Sequence, residues 1–226
     1  MPNRRTAPLS RSQGDYLKAL YELGGSKRQV GTSEIAERLD VRPASATGML
    51  TKLARLRLAT HDRYRGATLS DAGEGLAVEM IRHHRLIETY LVRALGYRWD
   101  EVHEEAERLE HVISERMEAA MFEALGRPRL DPHGDPIPTL AGRMEIRSLR
   151  PLDQCRAAER VTVRRVLDRD PARLRALAGL DLTPDAVLEV VAESRWEGPV
   201  EVRVKRRRRR VPLGLARAVF VERASA

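Results

Sequence analysis

Apolar residues recur at steps of three and four up to about Leu125 and at strand spacing beyond about residue 150, with a proline-rich stretch between. The first helix is predicted over 12–23, with Tyr16, Leu17, Leu20, Tyr21 and Leu23 apolar and Gly24-Gly25 ending it. A short helix over 32–39, a turn from Asp40 to Pro43 and a helix over 44–53 form a helix-turn-helix pattern. Two β-prone runs around Arg63, Arg65 and Gly66 predict a hairpin wing. Ser70-Asp71 caps a long helix that carries Leu76, Met80, Leu86, Ile87, Leu91 and Val92 and ends at Gly96. Two further helices are predicted. One covers 102–112, with Val102, Ala106, Leu109, Val112 and Ile113 as its stripe; the other covers 114–125, with Met117, Ala120, Met121 and Leu125. Residues 126–138 are proline-rich and expected to be extended. Strand-like runs at 158–167, 187–191, 200–204 and 218–221, with a short helix over 171–180, suggest a small β-barrel of SH3 size.

The fold expected is mainly α with a small β component. It comprises a winged helix-turn-helix over 1–73, a helical second domain over 74–140, a linker over 141–149 and an SH3-like barrel over 150–226. The second helix of the helix-turn-helix opens with small residues. Ser45, Thr47 and Gly48 let it approach a DNA groove closely, Arg42, Pro43 and Ala44 at its start are further DNA-binding candidates, and Lys52 is placed for phosphates. The wing offers Arg63, Tyr64 and Arg65. Gly48 lacks the longer polar side chain that would read a base, so shape and wing contacts are expected to contribute more. The apolar faces of the helices beyond the winged domain call for a second core or a subunit interface.

Charge agrees with a polyanionic partner: 41 Lys and Arg against 33 Asp and Glu give +8. Much of the excess sits in the run 205–210, read as a solvated strand or loop rather than a phosphate contact. Cys155 is the single cysteine, which excludes an internal disulfide and suits a reducing compartment. No apolar run approaches the ~18 residues of a membrane span and no signal-peptide pattern is present, so a cytoplasmic protein without a membrane partner is expected.

The candidate chemistry lies in 102–112. Glu107, Glu110 and His111 stand at i, i+3 and i+4, and His103 lies one turn before Glu107. On a helix these side chains converge on one side, and carboxylates with imidazoles beside a core face are what a divalent metal site needs. His84 and Glu88 repeat the i, i+4 spacing on the preceding helix. The plainer alternative is a solvated charged face with hydrogen-bonded histidines. For Asp15 it is a carboxylate favoured by the dipole of the first helix.

The motifs Asp15-Tyr16-Leu17, Ala36-Glu37-Arg38-Leu39, His83-His84-Arg85-Leu86, Val102-His103-Glu104-Glu105-Ala106, Glu110-His111-Val112 and Gly134-Asp135-Pro136-Ile137-Pro138 resemble a known family. It is that of the metal-dependent repressors of the diphtheria toxin repressor and manganese transport regulator type. The resemblance implies a homodimeric transcriptional repressor that binds operator DNA of manganese or iron homeostasis genes when metal is bound. It implies a primary site of Asp15, Glu107, Glu110 and His111. It also implies a second site of His84, Glu88 and His103, completed from the SH3-like domain by Asp168 or Asp170. Asp15 stands where iron-type members have Met and Glu107 where they have Cys, so oxygen replaces sulfur and Mn(II) is favoured over Fe(II). Lys18 stands where manganese-type members have a Glu ligand, so their two-metal arrangement cannot be carried over intact. Two rivals remain: a metal-independent winged-helix regulator of a small organic ligand, and a metal hydrolase. The hydrolase is disfavoured by the lack of a His-Glu-x-x-His motif, so neither an enzyme nor a small-molecule substrate is expected.

Overall fold

The computed structural model describes residues 9–62, 64–145, 147–167, 169–194, 196 and 198–224. Two compact units emerge. The first comprises Met1–His84, Glu110–Ile113 and Pro138–Arg143, and the second Arg85–Leu109, Ser114–Ile137 and Met144–Ala226.

The first unit begins with α1 (Arg11–Glu22), where the Ser10 backbone N–H donates to Gln13 Oε1 at 2.8 Å. Then come α2 (Thr32–Arg38), α3 (Pro43–Arg55) and the antiparallel pair β1 (Ala59–Asp62) and β2 (Gly66–Leu69). Leu17, Leu20, Val30, Ile35, Leu50, Leu53 and Ala67 are buried together. Val30 and Ala67 exchange both backbone hydrogen bonds at 2.9 Å, which ties the wing to the segment before α2. The wing turn is shaped by Asp62, whose carboxylate accepts from the backbone N–H groups of Tyr64 and Arg65 at 2.9 and 3.0 Å. These contacts also hold the Asp62 carboxyl below its ordinary pKa. The long helix α4 (Asp71–Leu95) starts in this unit, with Ser70 Oγ accepting from Gly73 N–H at 3.1 Å, and continues into the second.

The second unit holds α5 (Val102–Leu109) and α6 (Glu115–Ala124), the latter capped by Ser114, which accepts from Met117 N–H. A two-residue strand β3 (Arg150–Pro151) runs into a 3-10 turn over Leu152–Gln154. There follow β4 (Arg160–Val166), α7 (Pro171–Gly179), β5 (Val187–Ala192), β6 (Val200–Val204), β7 (Arg207–Val211), α8 (Leu213–Ala216) and β8 (Val219–Arg223). The strands make one antiparallel sheet in the order β3-β8-β4-β5-β6-β7. Alternate residues of β6 are buried, and Val161, Val163, Leu188, Val190, Val202, Val221, Leu174 and Leu177 share one core. The winged helix-turn-helix, the helical middle and the SH3-like sheet agree with the expected fold class.

Two segments differ from the sequence expectation. The predicted helix 102–112 stops at Leu109, and Glu110 and His111 lie in a turn. Val112, expected on the apolar stripe, is 74% exposed, whereas Glu110 is buried against Lys18. Leaving the helix lets the carboxylate reach its buried partners. Residues 131–135 are a tight turn rather than extended chain. Asp131 Oδ1 accepts from the backbone N–H groups of His133 and Asp135 at 2.8 and 2.9 Å. Gly134 sits at φ +87, where a Cβ would lie 1.9 Å from the Arg164 carbonyl oxygen of β4, so only glycine fits. Of the two readings of the arginine run, strand or loop, the structure has the strand: β7 is an edge strand paired through its backbone with β6.

Candidate metal centres

The sequence of α1 gives the helix two working faces. Leu17 and Leu20 enter the winged-helix core, while Gly14, Asp15 and Lys18 face α4 and the 110–111 turn within the first unit. Asp15 Oδ1 lies 2.9 Å from His111 Nε2, and His111 Nε2 lies 3.5 Å from Glu110 Oε1. One ligand atom from each of Asp15, Glu110 and His111 lies within 4.8 Å of the other two. Gly14 makes the approach possible: a Cβ there would stand 2.9 Å from His111 Cε1.

Glu110 is nearly inaccessible. Lys18 Nζ donates to both of its oxygens, at 3.0 and 2.8 Å, His84 Nδ1 contacts Oε2 closely, and Lys18 Nζ is 3.2 Å from His84 Nδ1. Burial pushes the Glu110 carboxyl upward. The hydrogen bond with His84 and the charges of Lys18 and His84 outweigh it, so the carboxyl stays below its ordinary pKa. Removing one partner of a buried pair of this kind costs about 3–5 kcal/mol, because the other charge is left unmatched.

The second unit contains another cluster. Glu88 is buried, with Oε1 at 3.3 Å from His103 Nδ1 and Oε2 at 3.6 Å from His133 Nδ1. Glu88, Asp131 and His133 also meet within 4.8 Å. The Trp99 carbonyl accepts from His133 Nε2 at 2.8 Å, which leaves Nδ1 to face Glu88. Burial lowers the imidazole pKa of His133, but the hydrogen bond and charge of Glu88 and the charge of Asp131 raise it to about 9. Asp131 is pushed up to about 7 by burial and by the charges of Asp135 and Glu88. Arg85 and Arg165 hold Asp135 at 3.3 and 2.6 Å.

The structure thus brings Asp15, Glu110 and His111 together in one unit and Glu88 and His103 in the other. Glu107 contacts His103 Nε2 at 3.4 Å in the second unit, and His84 contacts Glu110 in the first. Asp168 lies outside the described residues, and Asp170 caps α7 by accepting from Ala172 N–H at 2.8 Å. Sequence reasoning missed Asp131 and His133. Only the turn was signalled, since Asp at i, Pro132 at i+1 and Gly134 at i+3 is a type I turn pattern. Of the residues expected to meet DNA, Arg42, Pro43, Ala44, Ser45, Thr47, Gly48 and Lys52 are exposed on α3 or at its start, and Tyr64 and Arg65 are exposed on the wing; Arg63 lies outside the described residues.

Three family models match the chain. The iron dependent repressor N-terminal DNA binding domain covers residues 8–67, its metal binding and dimerisation domain 70–139, and the FeoA domain 150–223. The diphtheria toxin repressor of Corynebacterium jeikeium is 35% identical over 130 residues, which are 58% of this chain and 54% of that protein. The matched stretch therefore spans about half the length of that relative. The HTH-type transcriptional regulator MntR of Lysinibacillus sphaericus is 34% identical over 46% of this chain and 73% of its own length. A solved manganese-dependent transcriptional repressor, in complex with manganese, is 38% identical with a TM-score of 0.86, covering 94% of this chain and all of that one. The chain belongs to the iron- and manganese-dependent repressor family. Within this repressor family's matched regions, Asp15 and Lys18 fall in the DNA-binding part and His84, Glu110 and His111 in the metal-binding part.

Proposed function

We propose that the chain is a metal-dependent transcriptional repressor that binds operator DNA as a homodimer and is activated by Mn(II), with Fe(II) as the alternative ion. The observation that carries this reading is the meeting of Asp15, on the first helix of the winged fold, with Glu110 and His111. Two carboxylates and one imidazole, without sulfur, suit a hard to borderline divalent ion such as Mn(II). Glu88, His103, His133 and Asp131 are proposed for a second centre, with Asp168 as its candidate from the sheet domain. Asp15, Glu110 and His111 would hold a divalent cation, whose positive charge would offset the two carboxylates.

The chain's own residues do the rest. Leu17 and Leu20 key α1 into the core that also seats Leu50 and Leu53 of α3, so fixing α1 fixes the reading helix. Ser45, Thr47 and Gly48 then enter a groove, while Lys52, Tyr64, Arg65 and Arg63 meet the backbone beside it. Leu95, Tyr97 and Met117 are large apolar side chains at least 42% exposed in the second unit, which supports a second copy of the chain covering them. A coupling of only about 1–3 kcal/mol between metal and DNA accounts for a 5- to 150-fold response. Selection from a random duplex pool, in Mn(II) or in chelator, tests the reading. It predicts enrichment of a two-fold symmetric sequence in Mn(II) alone. Equal enrichment in chelator would point to the metal-independent regulator instead.

A further inference from the structure

We propose that Lys18 is a tethered cation that fills half of the first centre and limits that centre to one divalent ion. This rests on the reading of Asp15, Glu110 and His111 as metal ligands. The Lys18 side chain is buried, and its ammonium lies 3.0 and 2.8 Å from the two Glu110 oxygens and 3.2 Å from His84 Nδ1. An ammonium has three donors and no lone pair, so it cannot ligate a metal. Two of them meet the Glu110 oxygens, and the ammonium also lies beside His84 Nδ1. The ammonium therefore uses one lone-pair direction on each Glu110 oxygen and faces the His84 nitrogen that a second ion would need. The Asp15–His111 side keeps its converging atoms, at 2.9 Å, with Glu110 Oε1 at 3.5 Å from the same imidazole nitrogen.

Charge leads to the same conclusion. With the imidazoles neutral, as ligands must be, Asp15 and Glu110 with one ammonium leave a net charge of −1. One divalent ion brings this to +1 and two would bring it to +3, in a pocket where Glu110, Lys18 and His84 are all buried. Like charges at such separations repel strongly away from water. A carboxylate at position 18 reverses the balance to −3, which two divalent ions leave at +1. The residue at position 18 thus sets how many ions the centre takes.

The test is a Mn(II) titration of the full chain, followed by electron paramagnetic resonance, with Asp15→Asn identifying the ions that belong to this centre. Wild-type protein is expected to lose one magnetically isolated ion per chain on Asp15→Asn. Lys18→Glu is expected to bind one more ion than wild type and to show a spin-coupled pair. Lys18→Met is expected to bind the first ion at least ~10-fold more tightly, and Lys18→Arg to keep the single ion. A spin-coupled pair in wild type that disappears with Asp15→Asn overturns the proposal, and so does unchanged stoichiometry and affinity in both Lys18→Glu and Lys18→Met. If Asp15→Asn removes no ion, the centre itself is misassigned and the role of Lys18 falls with it. Circular dichroism identifies any variant that does not fold; in that event the wild-type spectrum and the Asp15→Asn count decide.

Discussion

Glu110 has two structural obligations, since it matches a buried ammonium and belongs to the candidate ligand set. Glu110→Gln keeps the shape and removes the charge, leaving Lys18 buried without its counterion. Urea unfolding of the metal-free protein should show a loss of about 3–5 kcal/mol; a loss under 1 kcal/mol would mean that the pair is better hydrated than its burial indicates. Gly14 makes the opposite case. Alanine is the better helix former by about 1 kcal/mol, yet its Cβ would press on His111 Cε1 at 2.9 Å. Gly14→Ala should leave the helix content intact and weaken Mn(II) binding on the order of tenfold, as displacing a ligand's support does. Calorimetric titration beside circular dichroism checks both halves.

At the scale of elements, Asp100 links the start of α5 to α7 inside the second unit. It is 2% exposed and pairs with Arg98 at 3.1 Å and Arg175 at 3.3 Å. Burial raises its carboxyl pKa, but the two guanidinium hydrogen bonds outweigh burial and hold it below the ordinary value. A carboxyl depressed in the folded state stabilises the protein above its unfolded pKa of about 4, and that contribution is lost as pH falls through the folded value. Unfolding measured from pH 7 to pH 3 should therefore fall less steeply in Asp100→Asn than in wild type; identical acid limbs would remove Asp100 from the linkage. The elements themselves were legible where apolar periodicity was strong, as in α1, α3, α4, β4 and β6. They were illegible where the backbone or a buried charge decided. The arginine run read equally as strand or loop, and ladder hydrogen bonds to β6 decide for the strand; α5 stops where Glu110 turns inward. In the candidate centres, Asp15, Glu110 and His111 could be picked out because motif and spacing agreed. His133 could not, because its role comes from the Asp131 turn and the Trp99 carbonyl rather than from helical spacing.

For the whole molecule, the excess of positive charge matters by its placement. Lys52 and Arg65 are exposed on the reading helix and the wing, so each should take a phosphate. Replacing either by alanine should lower the salt slope of operator binding by about 0.9 for each phosphate that is no longer neutralised. In the arginine run, Lys205 and Arg209 are engaged by Asp181 at 2.8 and 3.0 Å, while Arg206, Arg207 and Arg208 are exposed. Neutralising these three should leave the slope unchanged, and a smaller slope would place β7 on the DNA. In the proposed mechanism the Asp15–Glu110–His111 meeting couples metal to DNA. Operator affinity measured against Mn(II) concentration under reducing conditions, for wild type and Asp15→Asn, tests it most directly. The prediction is a rise of about 5- to 150-fold in wild type, reversed by chelator and absent in Asp15→Asn. Full sequence-specific affinity in chelator, or a wild-type response in Asp15→Asn, would contradict it.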